Sequence, residues 1–166
     1  MFNRILVPTD FSAPSTAALD QARTLAERLG SSIQLLHVVE EPATASGYVA
    51  DGFAPATDSI RETRLAQARD ALARLISATD RTRFHARADA IIGAPAAAIV
   101  DYADATGTTL IVMGTHGRTG LAHLLMGSVA EHVVRTASCA VLIVRHLPIA
   151  HENVLALDPY CAPLPS

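Results

Sequence analysis

The sequence predicts an α/β domain in which a five-stranded parallel sheet carries helices on both faces. Two observations predict it. Five short apolar runs alternate with longer amphipathic segments along the 166 residues, the signature of strand–helix units around a parallel sheet. Most of these runs are apolar at consecutive positions, as strands buried on both faces require.

The first strand is Ile5-Leu6-Val7, ended by Pro8. A helix follows in which Ala18, Ala22, Leu25, Ala26 and Leu29 share a face, with Gly30 placed as its C-cap. The second strand is Ile33 to Val39. Residues 40–57 form a long polar loop with glycine and proline, long enough for a lid or an interaction surface. Leu65, Ala68, Leu72, Leu75 and Ile76 make the stripe of a second helix, and Arg61, Arg64, Arg69, Asp70 and Arg74 occupy its solvated face. The third strand, around Phe84, Ala86 and Ala88 to Ile92, alternates less cleanly. Pro95 suits the first turn of a third helix that presents Ala96, Ile99, Val100 and Ala103. Leu110 to Met113 and Val141 to Val144 are the fourth and fifth strands. Between them Ser128 to Ala137 reads as a helix with Val129, Val133 and Val134 inward. Residues 1–146 are expected to form one domain and 147–166 a tail with Pro148, Pro159, Pro163 and Pro165.

Composition narrows the functional classes. The net charge is −3, without a run rich in basic residues, so no nucleic-acid footprint is expected. All 13 basic residues are arginine, which excludes a Walker-type phosphate loop and Schiff-base chemistry, both of which need lysine. Cys139 and Cys161 do not make a disulfide framework, and no paired Cys or H-E-x-x-H spacing suggests a protein-held metal. The opening MFNRILVPTD shows no signal-like pattern, and no apolar run reaches a membrane-spanning length of ~18 residues. The expected location is therefore cytoplasmic, with no membrane partner. P-T-D-F-S follows the first strand in place of G-x-G-x-x-G, which argues against a nicotinamide site.

The informative stretch is Met113-Gly114-Thr115-His116-Gly117-Arg118-Thr119-Gly120, which leaves the fourth strand and re-enters a helix at Gly127-Ser128. Glycines let amide hydrogens approach an anion, and a helix start adds unpaired N–H groups and the positive end of its dipole. Ser128 can cap that helix or donate to a phosphate oxygen, and Arg118 adds a cation. Read from the glycines alone, a tight turn with a helix cap explains the stretch equally well. Asp10 has a parallel choice between capping the first helix and contacting a nucleoside or its metal. His116 suits a structural or ligand-contact role better than catalysis. His37 reads as a strand residue, His123 and His132 as facing solvent or a partner, and Cys139 as packing at the start of the last strand.

The pattern G-x-x-G-x9-G-S, met by Gly114, Gly117, Gly127 and Ser128, stands with Pro8-Thr9-Asp10 and Leu36-His37-Val38. Together these resemble the ATP-binding branch of the universal stress protein family over about residues 2–145. The resemblance implies a Rossmann-like fold of the adenine nucleotide alpha hydrolase type, with strand order 3-2-1-4-5. It implies a ligand, ATP with ADP or AMP as alternatives and Mg2+ carried by the phosphates, across the ends of the first and fourth strands. Pro8, Thr9 and Asp10 would then lie near the ribose or adenine, and Val38 would offer its backbone to the base. Met113, Gly114, Thr115, His116, Gly117, Arg118, Thr119 and Gly120, with Gly127, Ser128, Val129 and Ala130, would surround the ribose and phosphates. A homodimer through Ala140 to Val144 and a regulated partner protein are implied too. Thr109 stands where the family often has an acidic residue before the fourth strand. The function expected is that of a nucleotide-dependent stress regulator. A slow ATPase or nucleotidyl-type enzyme and a nucleotide-free dimeric scaffold are the competing readings.

Overall fold

The computed structural model describes residues 2–40, 55–115 and 126–145. In chain order the elements are β1 (Arg4–Pro8), α1 (Ala13–Leu29), β2 (Ser32–Val39), α2 (Pro55–Leu75), α3 (Ala78–Arg83), β3 (Arg87–Ile92), α4 (Pro95–Thr106), β4 (Leu110–Gly114), α5 (Ser128–Thr136) and β5 (Ala140–Val144). The strands form one sheet in the order β3-β2-β1-β4-β5, and every neighbouring pair is parallel. This is the predicted fold class and strand order.

Side chains along the central strands alternate between two cores. Ile5, Val7, Leu35 and Val112 pack with Ala18, Ala22, Leu72 and Phe84 on the face of α1 and α2. Leu6, Leu36, Ile111 and Met113 pack with Ile99, Ala103, Ala130 and Val133 on the face of α4 and α5. Successive strand residues point to opposite faces, so a strand feeding two cores has no polar position to spare. Ile5, Leu6 and Val7 are each 0 % exposed. Helix α1 stops where Gly30 takes the left-handed conformation at φ 66° and returns its N–H to the Ala26 carbonyl. Only glycine adopts this conformation without strain.

Several boundaries differ from the sequence reading. Pro8 is the last residue of β1, paired with Leu36, and does not stand beyond it. Phe84 is not in the third strand. It caps the C-terminus of α3, and its carbonyl accepts from the Ile33 N–H. Helix α3 itself was not expected, because six residues are too few to show a period. Its start is written in Ser77 and Asp80, which exchange side-chain and backbone hydrogen bonds as a capping box. Helix α2 begins at Pro55, inside the stretch expected to be loop. Residues 41–54 of that loop and the 147–166 tail lie outside the described residues. Strand β5 is not buried on both faces: it is an edge strand with Leu142 39 % exposed. On α5, Val133 is buried and Val129 partly so, whereas Val134 is 45 % exposed instead of inward.

Candidate functional site

Parallel strands end on one edge, and ligands of open sheets bind there, beside the strand where the order reverses. In this order the reversal falls at β1, between β2 and β4. The turn after β1 is tightly bonded. The Thr9 N–H donates to the Leu36 carbonyl at 2.8 Å, the Thr9 hydroxyl lies 3.0 Å from that of Ser15, and the Phe11 N–H donates to Thr9 Oγ1 at 3.1 Å. Asp10 Oδ1 accepts from the Ser12 N–H at 3.1 Å and the Ser12 hydroxyl at 2.5 Å. Ser12, not Asp10, is the N-cap of α1. Asp10 orients the cap and stays at the sheet edge. Phe11, between them, sits at φ 66°, a conformation that side chains with a Cβ seldom adopt.

On the other side of β1, the end of β4 is fixed by packing. A Cβ on Gly114 would lie 2.9 Å from the carbonyl carbon, carbonyl oxygen and Cβ of Pro14. The glycine therefore lets α1 approach β4, which explains it without any ligand. The Thr115 N–H donates to the Val144 carbonyl at 3.1 Å, and the Gly127 N–H returns to the Thr115 carbonyl at 2.7 Å. The excursion between them is thus clamped at its base. His116, Gly117, Arg118, Thr119 and Gly120, expected at the site, lie outside the described residues, as do His123 and Cys161.

Helix α5 starts against the same edge. Its N-cap is Gly127, with no side-chain cap bond, so Ser128 is the first helical residue and not the cap. The first bond of its ladder runs from the Glu131 N–H to the Gly127 carbonyl at 2.9 Å. The amides of Ser128, Val129 and Ala130 precede it, where a helix offers N–H groups to an anion. Across the edge, the Leu36 carbonyl turns toward β1 and the Val39 carbonyl toward the Gly93 N–H beside β3. By the two-residue alternation of a strand, the N–H and C=O of Val38 face the side beyond the end of β1.

These elements enclose a cleft of about 460 Å³, lined by Pro8, Thr9, Asp10, Val38, Met113, Gly114, Thr115, Gly127, Ser128, Val129 and Ala130. Every predicted site residue among those described is therefore in one place. A sequence model of the universal stress protein family matches residues 1–145. The chain belongs to the universal stress protein family. It is 34 % identical over 154 residues to universal stress protein YxiE of Bacillus subtilis, covering 87 % of this chain and 100 % of that one. It is 32 % identical over 145 residues to universal stress protein MJ0531 of Methanocaldococcus jannaschii, covering 87 % and 83 %. Among solved structures it is similar to universal stress protein UspA of Lactobacillus plantarum, with TM-score 0.73, 28 % identity and coverage of 87 % and 98 %. It is also similar to a universal stress protein in complex with cAMP, with TM-score 0.55, 27 % identity and coverage of 87 % and 97 %.

This universal stress protein also lines its cleft with Leu36, His37, Val39, Glu40, Arg64, Pro95 and Ile99, which sequence reasoning did not assign to it. Pro95 and Ile99 had a signal, since a helix that starts at the same sheet edge must present its first turn there. Arg64 was placed on a solvated face. It is exposed, yet the middle of α2 lies close enough to the edge for it to border the cleft. His37 stands in the Leu36-His37-Val38 motif, but nothing in the sequence pointed to its contacts. Its ring nitrogen Nδ1 lies 2.7 Å from the Thr9 carbonyl oxygen, and its ring centroid is 4.5 Å from that of Phe11. Away from the cleft, Cys139 is half-buried against the α4–α5 core, and burial pushes its thiol pKa up, which disfavours the reactive thiolate. His132 is exposed. Among the described residues, no helix is long and apolar enough to cross a membrane.

Proposed function

We propose that this universal stress protein binds an adenine nucleotide in the cleft, with ATP as the principal ligand and ADP or AMP as alternatives, and works as a nucleotide-dependent regulator in the cytoplasm. The observation that carries this reading is the pairing of an α5 start without a side-chain cap with the backbone of Val38, which faces past the end of β1, across a single cleft. The residues suit the ligand. Pockets for small molecules commonly measure ~300–1,000 Å³, and about 460 Å³ falls within that range. The amides of Ser128, Val129 and Ala130 supply donors for phosphate oxygens. Val38, Pro95 and Ile99 supply apolar surface for a base, and the Val38 backbone supplies polar groups at its edge. Asp10 is placed to accept from a ribose hydroxyl. The relative solved with cAMP supports an adenine nucleotide as the ligand class. Mg2+ would arrive with the phosphates, as is usual for that ion.

The test is calorimetric titration of ATP, ADP, AMP and cAMP into the wild type and three variants. Ser128→Pro deletes one amide donor where proline is tolerated, the first helical position. Gly127 before it already has φ −74° and ψ 153°, the extended region that a following proline demands. Ser128→Ala removes the hydroxyl alone, and Asp10→Asn removes the charge at the ribose end. A charge-assisted hydrogen bond of about 1.5–3 kcal/mol corresponds to roughly 10- to 150-fold in affinity, which is the loss expected for ATP with Ser128→Pro. Ser128→Ala should lose less. Failure of the folded wild type to bind all four nucleotides at millimolar concentration overturns the reading.

A homodimer through β5 belongs to the same proposal. Among the described residues β5 has a strand neighbour on one side only, and exposed sheet edges are usually covered.

A further inference from the structure

We propose that His37 is a positioning residue: its imidazole holds the β1–α1 turn in the conformation that presents Asp10 to the cleft. The inference rests on the nucleotide-binding reading for its consequence but not for its geometry. β1 and β2 pair only as far as Pro8 and Leu36. Beyond that point the chain after β1 leaves the sheet, and His37 is the next residue of β2. Its Nδ1 lies 2.7 Å from the Thr9 carbonyl oxygen. A carbonyl only accepts, so Nδ1 carries the hydrogen and donates it. The same ring lies against Phe11, with centroids 4.5 Å apart and planes tilted by 40°.

Thr9 and Phe11 are the two neighbours of Asp10, so one side chain on β2 grips the turn on both sides of the carboxylate. The grip is needed because Phe11 stands at φ 66°, where a residue with a Cβ stays only if its surroundings hold it. The hydrogen bonds from Phe11 to Thr9 and from Ser12 to Asp10 join residues two apart. They shape the turn but do not fasten it to the sheet. The Thr9 N–H bond to Leu36 fastens only the first residue of the turn. Phe11 also packs against the α1–α2 core. The competing structural reading is that this packing alone holds the turn.

The experiment compares His37→Phe, which keeps a ring but loses the donor, with His37→Asn, whose side-chain amide restores an N–H near Nδ1. Phe11→Ala removes the ring contact from the other side and serves as a second route should His37→Phe not fold. The first readout is amide hydrogen exchange of Phe11 and Ser12 in the ligand-free protein. Exchange roughly tenfold faster in His37→Phe, restored by His37→Asn, is expected for a turn that opens locally. The second readout is the ATP dissociation constant in a cycle with Asp10→Ala. A residue acting through Asp10 should weaken ATP several-fold, about 3- to 10-fold, in the wild-type background and add nothing in the Asp10→Ala background. Unchanged amide exchange in His37→Phe overturns the proposal, and so does a loss of affinity that multiplies with that of Asp10→Ala. If the wild type binds no nucleotide, the functional reading fails, and amide exchange alone decides the role of His37.

Discussion

Gly114 and Ser128 flank the same excursion, yet only one of them tests ligand binding. A methyl group on Gly114 meets Pro14 at 2.9 Å, two of the three contacts being main-chain atoms that cannot rotate away. Gly114→Ala should therefore destabilise the fold by about 1–3 kcal/mol, the usual range for overpacking, read as a lower urea midpoint without ligand. Nucleotide affinity of the fraction that remains folded should change far less than in Ser128→Pro. At this scale the sequence was legible wherever spacing alone carried the information. Gly114, Gly127 and Ser128 stand at a fixed interval and Asp10 directly after a strand, and the structure brings all four to one cleft. The sequence was silent on which of Asp10 and Ser12 caps α1, because the answer depends on Phe11 adopting a left-handed conformation that no pattern assigns to phenylalanine. It was equally silent on His37, whose carbonyl partner is 28 residues distant along the chain.

Between elements, the clearest electrostatic joint ties α1 to α3. Arg23 donates through Nε to Asp80 Oδ1 at 3.0 Å and through Nη2 to Asp80 Oδ2 at 2.8 Å, and Nη2 also reaches the Leu75 carbonyl at 2.9 Å. The Asp80 side chain is 8 % exposed. Burial pushes the Asp80 carboxyl up, but the hydrogen bonds from Arg23 and Ser77 outweigh it and leave the carboxyl below its ordinary value. A folded-state value below the unfolded one adds stability that is present above the unfolded value and lost as pH falls through the folded one. Asp80→Asn should thus lower the urea midpoint at pH 7. The gap between wild type and variant should shrink as the pH drops below about 4, the range of an ordinary Asp. The longer elements were legible because their apolar periods are long: α1, α2 and α4 present the stripes that their sequences promise. Helix α3 was not, being six residues long, although its capping box was in plain view. The inward placement of Val134 failed for a different reason. A nine-residue helix over an edge strand covers a narrow strip, and the second of two adjacent valines rotates away from it.

For the molecule as a whole, alternation of strands and helices was readable from hydropathy, but strand order was not. It came from the family likeness, since buried parallel strands look alike whatever their neighbours. The exposed side of β5 was hidden for the same reason: a run such as Ala140 to Val144 reads as interior until its position at the rim is known. The proposed homodimer makes this rim its interface. Leu142→Glu should then shift the species seen by light scattering from dimer to monomer, while nucleotide affinity per chain stays within about twofold, as expected of a residue remote from the cleft. The central position of β1 has a consequence for synthesis. Its pairing with β4 joins Ile5 to Leu110, so the first strand off the ribosome must wait for residues from far down the chain before its second flank is covered. Domains generally fold as units as the chain emerges, and here the binding edge comes into being only with the last third of the sequence. A nascent or clipped chain that ends before α5 lacks the amides of Ser128, Val129 and Ala130, the proposed donors to the phosphates. On the proposed function, ligand capture would favour finished molecules, and a saturating ligand would favour their folded state in proportion to the logarithm of its concentration.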